Sequence, residues 1–118
     1  MQISWLVELI VRPGQLARFE QLTGEMVAAA QQETGVLGYQ RFVGDDESSV
    51  VVYERYADFA AAIAHLLQFE ARFAPRFSQM ADRKRFLVFG RPNAELKALL
   101  DRYRAAYLAP LGPFPYWG

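Results

Sequence analysis

His65 is the only histidine in a chain of 118 residues that contains no cysteine, so acid–base chemistry near neutral pH starts from one imidazole. The same count excludes a multi-histidine metal centre within one chain, a thiolate site, a thiol nucleophile and a disulfide framework. Beside His65 stand two tyrosine–arginine pairs, Tyr53 with Arg55 and Tyr39 with Arg41. Residues two apart on a strand share a face, so each pair places a hydroxyl beside a fixed cation, a combination suited to holding a phenolate. Trp5 adds a flat surface on which an aromatic ligand could stack. His65, Tyr53 and Arg55 are therefore the candidate catalytic residues, and Trp5, Tyr39 and Arg41 the candidate substrate-binding ones. Plain structural readings stand next to these: His65 bonding Glu54 or a backbone carbonyl, Tyr53 and Trp5 as core residues, and Arg55 in a surface ion pair. Glu54 falls in the opposite phase, with Tyr56, and buried at an interface it would need an arginine or His65 as partner.

Other clusters carry less. Asp45-Asp46-Glu47 lacks the spaced oxygen ligands and the glycine of a calcium loop and reads as a solvated turn, so no metal site is expected. Arg83-Lys84-Arg85 has no interleaved aromatic residues and reads as a charged strand edge rather than a nucleic-acid surface. There is no phosphate-cradling glycine loop and no serine elbow.

These side chains must be positioned by elements that the hydrophobic periodicity predicts. Ile3, Trp5, Val7, Leu9 and Val11 recur with a period of two, interrupted by apolar Leu6 and Ile10, which predicts a strand covered on both faces and stopped at Arg12-Pro13-Gly14. Leu16, Phe19, Leu22, Met26, Val27 and Ala30 trace a helical stripe closed by Gly35. Residues 36–43 and 50–56 predict a hairpin across the loop Gly44–Ser49. Asp58 caps a helix carrying Phe59, Ile63, Leu66 and Leu67 and continuing through Phe69, Phe73 and Phe77, with Pro75 kinking or restarting it. Phe86–Phe89 is a fourth strand, and Asn93 caps a last helix whose stripe runs from Leu96 to Tyr107.

The order is βαββαβ with an extra C-terminal helix: an α+β, ferredoxin-like fold with an antiparallel sheet and helices on one face. Residues 1–91 form that domain, and residues 92–118 add a helix and a tail with Phe114, Tyr116 and Trp117 between prolines, packing on the same domain or on a partner. Apolar residues occupy both phases of the first, third and fourth strands, whereas a face left to water would be polar. A second copy of the chain is expected to bury the other face, giving a homodimer of stacked sheets.

The segment Gly35-Val36-Leu37-Gly38-Tyr39-Gln40-Arg41-Phe42, the strand Val51-Val52-Tyr53-Glu54-Arg55-Tyr56, Asp58 and Ala64-His65-Leu66 together resemble the antibiotic biosynthesis monooxygenase family of dimeric α+β barrels, over most of residues 1–91. Tyr56 stands where the family commonly has tryptophan. The resemblance implies a cofactor-independent monooxygenase acting on a small quinol- or anthrone-like molecule, with no cofactor. Its alternative is a noncatalytic ligand-binding or stress-associated dimer. Such oxygenation needs a substrate that becomes an electron-rich anion, a base to form it, donors to hold it and a dry pocket. His65 is the base candidate. The haem-degrading branch is not matched, since Ser4, Trp5 and Leu6 offer no asparagine and Arg72-Phe73-Ala74-Pro75 no histidine.

Composition sets the remaining limits. The length fits one domain, and 53% hydrophobic with 14% aromatic residues suffices for a folded core. With 13 basic and 13 acidic residues there is no net field to gather nucleic acid or an anionic membrane, so neither partner is expected. Residues 5–11 are interrupted by Glu8 and lack a basic leader, so neither signal peptide nor membrane span is read there, and a cytoplasmic location is the default expectation.

Overall fold

The computed structural model describes residues 1–112, and the aromatic tail with Phe114, Tyr116 and Trp117 lies outside them. Five strands form one sheet in the order β2-β3-β1-β4-β5. The central strand β1 (Ile3–Val11) pairs antiparallel with β3 (Ser49–Tyr56) on one side and β4 (Ala81–Phe89) on the other, and β2 (Val36–Val43) completes the hairpin with β3. Helices α1 (Leu16–Ala30), α2 (Phe59–Arg72), α3 (Ala74–Met80) and α4 (Ala94–Asp101) supply the other half of a single apolar core. No described helix is long and apolar enough to cross a membrane.

Local chemistry accounts for the boundaries. Asp58 accepts a hydrogen bond from the Ala61 amide at 2.8 Å and Asn93 one from Leu96 at 2.9 Å, so both expected caps open their helices. Pro75 sits in the first turn of α3, where its missing N–H costs nothing, and the chain restarts there rather than bending. Gly35 has φ +92°, and a methyl group on its α-carbon would sit 2.7 Å from the Ala61 β-carbon. Glycine is therefore required where α1 returns to β2 beneath α2.

Strand alternation sorts the sheet into two faces. Trp5, Val7 and Leu9 of β1, Val50, Val52, Glu54 and Tyr56 of β3, and Phe86 and Val88 of β4 are buried toward the helices. Leu6, Ile10, Val51, Tyr53, Arg55, Leu87 and Phe89 look the other way and are only partly covered.

Two expectations need correction at the C-terminal end. The fourth strand starts at Ala81, so Arg83-Lys84-Arg85 lies inside it rather than before it. Opposite this triplet the ladder slips by one residue: Glu8 faces Arg85 and Leu9 faces Arg83, leaving Lys84 surplus. The slip keeps Arg83 on the helix side, where Phe86 and unbroken alternation would have placed Lys84. The last helix also stops earlier than its stripe suggests, at Asp101. Arg104 turns left-handed at φ +56°, and Ala106–Leu108 form a short strand, β5, parallel to β4, making the sheet mixed. Tyr107 is thus a strand residue, and its hydroxyl donates back to the Asp101 carboxylate at 2.6 Å.

Candidate functional site

Between helices and sheet lies a polar cluster inside an otherwise apolar layer. His65, on the inner side of α2, has its Nδ1 2.9 Å from Glu33 Oε2 and its Nε2 3.2 Å from Glu54 Oε1. Glu33 comes from the turn after α1, and Glu54 from the inward face of β3. The Tyr56 hydroxyl donates to the same Glu54 oxygen in a short hydrogen bond. His65 and Glu54 are each only 7% exposed, so the cluster is shielded from water.

Two carboxylates on one imidazole decide its charge. Burial alone drives the His65 pKa down, but hydrogen bonds and charge from Glu54 and Glu33 outweigh it and leave the ring at about 9. His65 is therefore an imidazolium at neutral pH, donating from both nitrogens. Burial, and next the Glu54 carboxylate, push the hydroxyls of Tyr39 and Tyr56 well above the usual phenol range, which keeps both as neutral donors.

Glu54 and His65 form part of the wall of an internal cavity, together with Trp5, Val7, Tyr39, Phe69, Phe77 and Phe86. The space open to the centre of a water-sized sphere is about 40 Å³, enough for a few waters. Trp5 packs on Tyr56 at 4.6 Å and Phe86 at 5.7 Å between ring centres, and Tyr39 meets His65 edge-on at 5.6 Å. Arg83 lies over the Tyr103 ring, 4.7 Å from its centre, and both residues line the cavity. Among the described residues no group of three or more histidine and carboxylate side chains is arranged to hold a metal ion.

The six residues singled out from sequence divide by strand parity. His65, Trp5 and Tyr39 line the cavity. Arg41 does not line it and meets it only through Thr23, a lining residue whose hydroxyl accepts from Arg41 at 2.7 Å. Tyr53 and Arg55 do not reach it: they occupy the opposite face of β3, where Tyr53 is opposite Leu6 and Arg55 opposite Ser4. Glu54 and Tyr56, assigned from sequence to the interface side, point inward instead. Both phases of β3 are apolar at Val50–Tyr53, so the pattern gives no sign of which one the helices cover. A usable sign was the phase of β1: Trp5 faces Glu54 across the ladder, and buried tryptophan and buried carboxylate share a side. Glu33, Arg83 and Tyr103 were missed because the first sits in a turn, the second depends on the β4 slip, and the third follows the end of α4.

Comparison with known proteins places this geometry. The structure is similar to that of MupZ from Pseudomonas fluorescens, with a TM-score of 0.83 at 19% identity, covering 98% of this chain and 94% of that one. It is also similar to SnoaB, a cofactor-independent oxygenase from Streptomyces nogalater, with a TM-score of 0.67 at 17% identity over 79% of this chain and 95% of that one. A protein from Bacteroides thetaiotaomicron described as a "putative antibiotic biosynthesis monooxygenase" gives a TM-score of 0.64 at 21% identity over 70% of this chain and 83% of that one. At these identities the likeness is one of fold. No curated protein matches in sequence. The antibiotic biosynthesis monooxygenase profile matches residues 3–71, from β1 through α2, and the chain belongs to that family.

Proposed function

We propose that the chain is a cofactor-independent monooxygenase of a small, acidic aromatic molecule of the anthrone or quinol kind, working as a homodimer. The observation that carries this reading is the buried Glu33–His65–Glu54 cluster, whose His65 and Glu54 line a small cavity walled mainly by aromatic and aliphatic side chains. Dry surroundings strengthen each charge–charge contact, so the imidazolium holds the Glu54 carboxylate in place, and a proton arriving on Glu54 stays on that carboxyl group. Glu54 is the base in this scheme. His65, already protonated, positions Glu54, and Glu54 itself returns the proton.

For an anthrone-like CH₂ group, Glu54 removes one proton and the resulting anion gives one electron to O₂. The substrate radical and superoxide combine into a C–O bond, and the peroxide takes a proton from the His65–Glu54 pair. Loss of the second C–H proton with cleavage of the O–O bond leaves a carbonyl and hydroxide, which becomes water. The balance is CH₂ + O₂ → C=O + H₂O. Trp5 and Phe86, packed on each other, form one wall against the ring system, and Tyr39 donates to its oxygen.

Dimerisation is supported by the uncovered face of Leu6, Ile10, Val51, Tyr53 and Leu87, whose apolar content suits sheet stacking. Tyr53 and Arg55 belong to that contact in this reading and take no part in the chemistry. Oxygen uptake by metal-free protein with anthrone, naphthohydroquinone and naphthol substrates tests the proposal. Uptake is expected with at least one, falling roughly a hundredfold in Glu54→Gln. No uptake above the protein-free rate across the panel would overturn it. The second reading, a noncatalytic dimer filled by its own side chains, is favoured by the cavity's 40 Å³, since a ligand of substrate size needs room made for it.

A further inference from the structure

Arg83 and Tyr103 each present a polar atom that is fully shielded from solvent and has no hydrogen-bond partner: Nε of the guanidinium and the phenol oxygen. Burying such groups unpaired is costly, and native interiors rarely tolerate two side by side. Neither lies in the segment matched by the family profile, since one is on β4 and the other follows α4. Both line the internal cavity, and both also line a second, open hollow on the outside. Phe69 and Phe77 are the other two residues shared by the two spaces. These four side chains are therefore a partition one residue thick. The outer hollow offers about 340 Å³ by the same measure as the inner 40 Å³.

Charge at the partition is positive on balance. Arg83 has no carboxylate within ion-pair distance among the described residues. Glu70, the acidic residue in the described lining of the outer hollow, is held by Arg102 at 3.1 Å and lies near enough to the Tyr103 hydroxyl to hold its proton, though without a well-formed hydrogen bond to it. Glu54 acts on Arg83 from across the inner cavity, but its near partners are His65 and Tyr56.

We propose that Arg83 and Tyr103 form a built site for the oxyanion of an aromatic ligand that enters from the outer hollow and lodges its ring against the touching rings of Trp5 and Phe86. This rests on the cavity being the ligand site and narrows the substrate to one bearing a carboxylate or phenolate remote from the reacting carbon. The two unpaired donors are satisfied when that oxyanion arrives, and the ring opens the partition by displacing Phe69 and Phe77. A neutral aromatic leaves the donors unpaired and is selected against.

Calorimetric binding of 2-naphthoate, 2-naphthol and 2-naphthalenemethanol tests this without turnover, so it can fail while oxygen uptake succeeds and succeed while uptake fails. At pH 7 naphthoate is expected to bind at least tenfold more tightly than naphthalenemethanol. Arg83→Gln is expected to remove that preference, Arg83→Lys to restore part of it, and Tyr103→Phe to weaken naphthoate severalfold. Naphthol binding that tightens as the pH is raised toward 10 identifies a phenolate site, and naphthoate preference alone identifies a carboxylate site. Equal affinity of the wild-type protein for all three, or a preference that persists in Arg83→Gln, would overturn the proposal. If Arg83→Gln does not fold, the wild-type preference and its retention in Arg83→Lys carry the decision.

Discussion

A single histidine held between two carboxylates makes the site unusually easy to interrogate, because one imidazole proton signal reports on it alone. That signal is expected to titrate at about 9 rather than at the ordinary 6.5, and to move back down in Glu54→Gln, where burial acts with one carboxylate fewer. A titration midpoint near 6.5 in the wild-type protein would contradict the doubly bonded geometry. Stability follows by linkage. The folded-state pKa is raised, so the contribution is complete below the unfolded value of 6.5 and is lost as pH climbs toward 9. The loss is at most on the order of 3 kcal/mol, measurable as a falling denaturation midpoint over that window. From sequence, His65 could be suspected of bonding Glu54, and it does. Its second partner, Glu33, lies 32 residues away in a turn, and no local pattern reports a contact of that kind.

The elements were readable where local chemistry decides them. Asp58 and Asn93 announce their caps by residue type, and each stands where that type predicts; Gly35 does not close α1, which already ends at Ala30, but makes the turn into β2 at φ +92°. Asp58→Ala should cost about 1 kcal/mol, the usual loss of an N-cap, without disturbing the site. Gly35→Ala should cost more, about 2–3 kcal/mol, because strain at φ +92° adds to contact with the Ala61 methyl. Urea denaturation of the two variants ranks them, and equal losses would mean that the close approach to α2 relaxes freely. Where tertiary pairing decides, periodicity misled. Tyr107 sits at helical spacing from Tyr103 but is captured by the edge of β4, and a three-residue parallel strand has no signature of its own.

For the whole molecule the undecided surface is the sheet face turned from the helices. Leu6 and Tyr53 pair across its centre, with Val51 and Leu87 beside them. If two copies stack there, sedimentation at micromolar concentration gives twice the chain mass, and Leu6→Lys, placing an unpaired charge at the centre, gives a folded monomer. A wild-type protein sedimenting at its chain mass of 13.4 kDa would remove the dimer from the functional proposal while leaving the cavity as described. Sequence revealed that both sheet faces are apolar but not which one the helices take. That choice assigned Glu54 to the cavity and Tyr53 away from it.

The surplus Lys84 has an effect out of proportion to its position. Three cations stand in a row at residues 83–85, and backbone count rather than side-chain identity determines which one the interior admits. A relative with an unslipped ladder would offer its ligand a lysine, a mobile point charge, where this chain offers a planar guanidinium. Two family members alike at every aligned column could therefore differ in the anions they prefer. The difference would be found by counting residues between Glu8 and Leu9's partners, not by comparing letters.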